Sequence, residues 1–146
     1  MAYAQLCDLA GLVPSEFLTQ ALDDVNAGVI DDTLFAQIQA DVQTAIDAIL
    51  GTRFSVPFVP DHNGHLPAFV FNAAKKLTAE QIYKRRGIAD EKNPWTKECD
   101  NLRALMKAMA LGQAPLDPGI NRKDPSASVV TQPMKSAPRH GDTLSV

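Results

Sequence analysis

Residues 93–112 read NPWTKECDNLRALMKAMALG, and the apolar side chains of this stretch settle what kind of fold the chain adopts. Trp95, Cys99, Leu102, Met106 and Met109 step by four, three, four and three residues, the spacing that places side chains on one face of an α-helix. Asn93-Pro94 opens this predicted helix, because proline at a first helical position lacks only a hydrogen that the helix leaves unbonded, and Gly112 closes it. A stripe this regular faces a core.

The same logic repeats toward the N-terminus. Pro67 is expected to start a helix through Arg86, with Val70, Ala73, Ala74, Leu77 and Ile82 turned inward and Gly87 at its end. Before it, Phe35, Ile38, Val42, Ala45, Ile46 and Ile49 recur at three- and four-residue steps, with Asp31 or Asp32 as the cap and Gly51 just past the end. Two shorter helices are predicted over Tyr3–Leu12 and from Ser15 to about Leu22, separated by Pro14. Between Gly51 and Pro67 the pattern changes: Phe54, Val56 and Phe58 alternate while Pro57 and Pro60 exclude a helix interior, which predicts an extended crossing segment. The fold class is therefore mainly all-α, a domain of about five helices over residues 1–112 with one short extended segment.

Residues 113–146 hold five of the ten prolines, no aromatic residue and no sustained periodicity. Such a composition does not bury enough apolar surface to offset the entropy of ordering, so a flexible C-terminal arm is expected. Leu116, Ile120, Val129, Val130 and Met134 are spaced as side chains that dock when a partner supplies a groove or a sheet edge.

With 146 residues, of which nine are aromatic, the chain makes one domain around an aliphatic core. Its charge is unevenly placed. Residues 1–52 carry eight acids and no Lys or Arg, a net −8, while residues 53–146 carry all fourteen bases against nine acids, a net +5. Either two solvated faces differ, or one subunit's acidic face meets a neighbour's basic face. An overall −3 argues against general affinity for nucleic acid. Cys7 and Cys99 have no metal-ligand spacing and read as buried thiols of a reducing cytosol. No apolar run reaches membrane-spanning length and the N-terminus lacks a basic leader, so a product that stays in the cytosol is expected.

The sequence offers little to catalysis. Asp23 to Leu34 has Gly28 and Ile30 where a calcium loop places its glycine and apolar residue, but Val25, Ala27 and Leu34 occupy ligand positions. Asp61, His62 and His65 lack a third strong metal ligand at a recognisable spacing and read as exposed loop residues. There is no nucleophile elbow, no phosphate-cradling glycine loop and no Cys–His arrangement, so no enzyme activity, metal or cofactor is expected. Lys84-Arg85-Arg86, with Lys75 and Lys76 upstream, suits either phosphate or the negative end of a helix dipole.

In order and spacing the segments carry a likeness. Tyr3-Ala4 and Asp8-Leu9, the loop ending Gly28-Val29-Ile30-Asp31, Gly51-x-Arg53-Phe54 with Pro57, Ile82-Tyr83 with Arg85-Arg86, and Leu102, Leu105 and Met109 leading to Gly112 and Leu116 together resemble the Mu-like phage head-completion family. These are small adaptor proteins of tailed phages and prophages, between portal and tail, and the resemblance covers roughly residues 2–116. Val25 and Ala27 stand where many members carry acids, and the insert Asp61–His65 is longer than usual. The resemblance implies a helical connector subunit in a ring, commonly twelvefold, bound to the portal and to a tail or collar protein at the head-tail junction of the virion. The genome would pass through its lumen without specific binding, no membrane would be involved, and the protein would be made in the bacterial host cytoplasm. In such a ring Asp23, Asp24, Asp31 or Asp32 of one subunit is expected to pair with bases such as Arg53, Lys84, Arg85 or Arg86 of the next. The alternatives from the residues alone are a small helical DNA-binding or regulatory protein using Lys84 to Arg86, and a metal-dependent enzyme using His62 and His65.

Overall fold

In the computed structural model, which describes residues 2–116, the chain forms a 3-10 turn and four α-helices: Leu6–Leu9, then α1 Ser15–Ala21, α2 Asp32–Leu50, α3 Ala68–Arg85 and α4 Thr96–Ala110. The caps follow from the sequence. Asp31 starts α2 by accepting hydrogen bonds from the Thr33 and Leu34 amides at 2.8 and 3.4 Å. α3 and α4 both end on a glycine of positive φ, Gly87 and Gly112; the Gly87 and Ile88 amides return to Lys84 and Tyr83, and the Gly112 and Gln113 amides to Met109 and Ala108. Gly51 ends α2 with an ordinary helical φ of −64°, and its small size serves another purpose: a β-carbon there would stand 3.0 Å from Val56 Cγ2.

α3 is the hub, packed by α1, α2, α4 and the 3-10 turn. Its first half, Val70, Ala73, Ala74 and Leu77, meets Val42, Ile46 and Leu50 of α2 and Cys99, Met106 and Met109 of α4, with Phe54 and Phe58 closing one side. Its second half, Ala79 and Ile82, meets Leu9, Val13, Leu18, Leu22 and Phe35. Trp95 borders both clusters. A helix covered from so many sides needs no polar stripe, and α3 has none.

Burial of α3 takes an acid with it. The Glu80 side chain has no exposed surface. Arg103 of α4 grips both of its carboxylate oxygens, and the Lys84 ammonium lies 3.3 Å from Oε1. Asn93 donates to the Glu80 carbonyl at 3.2 Å and accepts from the Trp95 amide at 3.0 Å, so the turn before α4 is clasped to the same point of α3. Lys76 and Glu98 add a second ion pair between the two helices. Burial pushes the neighbouring Cys99 thiol up to about 12, which leaves it a protonated, unreactive core group.

A second clasp holds the N-terminus. The Tyr3 hydroxyl donates to Asp47 of α2 and accepts from the Phe58 amide at 2.8 Å, while Gln39 donates to the Ala4 carbonyl at 2.6 Å. The first residues are thereby strapped across α2 and onto the segment that follows it.

The expected extended segment is present: after a turn at 51–53 the chain crosses without helix or strand among the described residues, with Phe54 and Phe58 buried and Val56 partly so. Four differences from expectation have physical causes. Tyr3–Leu12 holds only a 3-10 turn, because Gly11 at φ +84° and Pro14 leave too few residues for an α-helical nucleus. α4 begins at Thr96, Pro94 lying in the turn that Asn93 organises. Cys7 is exposed, since the 3-10 turn faces Leu9 inward instead. Finally, Ala114 and Leu116 pack on the larger cluster, so the domain runs past residue 112.

Two outcomes follow. Arg103→Met, which leaves the buried Glu80 carboxylate to Lys84 alone, lowers stability by about 3–5 kcal/mol, whereas the double variant Glu80→Met with Arg103→Met recovers most of that loss; urea unfolding midpoints of the three chains decide it. Burial, reinforced by the hydrogen bond to Asp47, holds the Tyr3 phenol above its ordinary value of 10.0. Because the folded state keeps that proton, its contribution is complete below pH 10.0 and fades as pH rises further. Tyr3→Phe is expected to cost about 1–3 kcal/mol at neutral pH and to flatten part of the alkaline decline.

Candidate functional site

Most of the charged residues singled out in the sequence, Asp23, Asp24, Asp31 and Asp32 with Lys84–Arg86, gather at one end of the molecule, where the α1–α2 loop meets the C-terminus of α3, while Arg53 lies at the C-terminal end of α4. Residues 23–31 form a loop braced by their own acids. Asp23 accepts from the Ala27 and Gly28 amides at 2.9 and 2.6 Å, and the Asp31 amide returns to the Leu22 carbonyl at 2.8 Å. These bonds, that from Ala27 foremost, hold the Asp23 carboxyl below its ordinary value. They also fix two left-handed residues, Asn26 at φ +59° and Gly28 at φ +76°. The loop is moored to α3 by Arg85, whose Nε donates to the Ala21 carbonyl at 2.8 Å and whose guanidinium pairs with Asp24.

The predicted charges thus find employment inside the chain. Asp24 meets Arg85; Lys84 meets Glu80 and, at 3.4 Å, Asp90; Arg86 lies 5.0 Å over the Phe17 ring. Arg53 covers the C-terminal end of α4 so closely that a β-carbon on Gly112 would collide with its guanidinium. That placement also suits the helix dipole. Asp23, Asp31 and Asp32 remain on the surface without an ion pair among the described residues.

Among its acids the loop also shows apolar side chains to solvent. Val25 and Val29 are 82% and 64% exposed, on a tip whose backbone is rigidly bonded. The charge pattern drew notice to the acids, and the exposed valines went unread, because a lone valine in a loop carries no periodic signal. A groove of about 570 Å³ lies elsewhere, between Ala2, Tyr3, Gln5 and Asp8 of the strap, Gly64–Leu66 of the long loop and Ala68 and Phe71 of α3. Its loop edge is held by Asp61, which accepts from the Asn63 and His65 amides at 2.8 and 2.9 Å. The His65 bond leads in keeping that carboxyl below its ordinary value.

His62 and His65 share the Asp61 loop with no further ligand, and among the described residues no three His, Cys, Asp or Glu side chains are grouped to hold a metal ion. Nor is any described helix long and apolar enough to cross a membrane. Leu116, assigned by sequence to the docking arm, is buried in the larger cluster. Ile120, Val129, Val130 and Met134 lie outside the described residues.

No curated protein matches the chain. A family model described as "Bacteriophage Mu, Gp36" matches residues 3–133. That span takes in the Tyr3 clasp, the braced acidic loop, all four helices and the buried Leu116; the chain belongs to the bacteriophage Mu Gp36 family.

Proposed function

We propose that this phage protein is a structural component of the virion, a head-to-tail connector subunit that assembles as a ring on the portal and joins capsid to tail, with no catalytic step. The observation that carries the reading is the family match over residues 3–133. The surface supports it. A rigid loop with two neighbouring exposed valines and a separate groove are compatible with a part that is assembled. In a ring, each subunit joins two unlike surfaces, and the split between acidic and basic halves suits that geometry. Portal, neighbouring subunit and tail or collar protein are the partners in this reading, and the genome passes the lumen without being read.

A DNA-binding reading draws no support from the basic run. Lys84 and Arg85 are engaged by Glu80, Asp90 and Asp24, and Arg86 is stacked on Phe17, which leaves few free cations for phosphate.

Deleting the gene from the phage that encodes it is expected to give filled heads and free tails that do not join, restored by the gene supplied in trans. Electron microscopy of the lysate reads the result, and normal numbers of tailed, infectious particles from the deletion would end the proposal.

A further inference from the structure

The two surfaces described above sit at opposite ends of one rigid rod. The α1–α2 loop is fastened to the C-terminus of α3 through Arg85, and the groove is built on Ala68 and Phe71 at its N-terminus. α3, 18 residues and about 27 Å long, runs between their attachment points. A chain cannot place its own loop in its own groove.

Their chemistry is complementary. The tip offers two exposed valines rimmed by three carboxylates with no ion-pair partner among the described residues: Asp23 and Asp31, turned to amides of their own loop and helix, and Asp32. The groove offers the side chains of Leu66, Ala68 and Phe71, with the Lys75 ammonium 4.6 Å over the Phe71 ring and His65 on its edge. Asp8 of the lining and Asp61 at the loop edge are both acids, turned to the Gln5 amide at 2.7 Å and to the Asn63 and His65 amides at 2.8 and 2.9 Å. A volume of about 570 Å³ admits two valine side chains with room for bridging water. Two tips brought together would instead set acids against acids, so a tip is better matched by a groove than by another tip.

We infer that Val25 and Val29 of one copy insert into the Tyr3–Leu66–Phe71 groove of a second copy, making a head-to-tail contact between identical chains. The inference rests on the ring assembly proposed above and supplies the contact that would build it. Because Asp23 holds the tip in shape before any partner arrives, little further ordering is needed on docking. Made head to tail, the contact leaves one tip and one groove free at each stage and continues until a ring closes, whereas two copies that exchanged tips reciprocally would stop at a dimer.

The test uses the full chain and two surface variants, Val25→Asp with Val29→Asp at the tip and Ala68→Glu in the groove, all checked for an unchanged melting temperature. Sedimentation from micromolar to millimolar concentration is expected to show species beyond a dimer for the parent chain. Each variant alone should associate at least about tenfold more weakly. Mixed one to one, the variants should form dimers and nothing larger, because the tip variant keeps its groove and the groove variant keeps its tip. A parent chain that stays monomeric at millimolar concentration, variants that assemble like the parent, or a mixture that stays monomeric would each overturn the contact. Particle incorporation separates this from the connector reading: a tip variant found in particles at the parent's copy number refutes the contact alone, whereas absence of the parent chain from particles refutes the connector.

Discussion

A carboxylate with no exposed surface sits in the middle of α3, and the rest of the domain depends on its being neutralised. Taking Glu80 out of water is costly, and only Arg103 from α4 and Lys84 one turn along α3 make it tolerable. The requirement fixes α4 in register against α3, since a slide of one turn would carry Arg103 out of reach. Asn93 secures the same register from the preceding turn by bonding the Glu80 carbonyl. Apolar packing around α3 would permit several sliding positions; the buried ion pair selects one.

The parts of this fold that are legible in the sequence are those encoded by neighbours a turn or two apart. Val42 and Ile46 of α2, and Cys99, Met106 and Met109 of α4, are buried as their spacing requires. Pro67 and Gly87 bracket α3 as their backbone chemistry dictates. What escaped is what depends on residues far apart. Glu80 looks like any solvated acid on a helix until Arg103 is brought to it; Tyr3 gives no sign of Asp47, 44 residues on; and Asp24 meets Arg85 across 61. The 3-10 turn escaped for another reason: three apolar residues mimic a helical face even where Gly11 cuts the helix short.

The charge asymmetry also changes meaning once the chain is folded. A net −8 beside a net +5 suggests two faces waiting for partners, yet much of the contrast is resolved at home, by Asp24 with Arg85 and by Glu80 with its two bases, the latter wholly within the second half. Folding leaves a smaller remainder at each end of α3: carboxylates around the loop tip, and Lys75 beside the groove. That remainder lacks the strength to hold copies together through salt. In the proposed contact it would decide which ends meet, with the apolar side chains supplying the affinity.

The bracing of the α1–α2 loop has a consequence for how such a protein changes over generations. Its shape is set by Asp23, by the left-handed residues Asn26 and Gly28, and by the mooring at Arg85; none of these bonds involves the side chains of Val25 or Val29. Those two positions are therefore open to substitution without any refolding of the loop. If the tip meets a neighbour as proposed, a lineage facing an altered partner could readdress that contact one side chain at a time, keeping the frame while the message on it is rewritten.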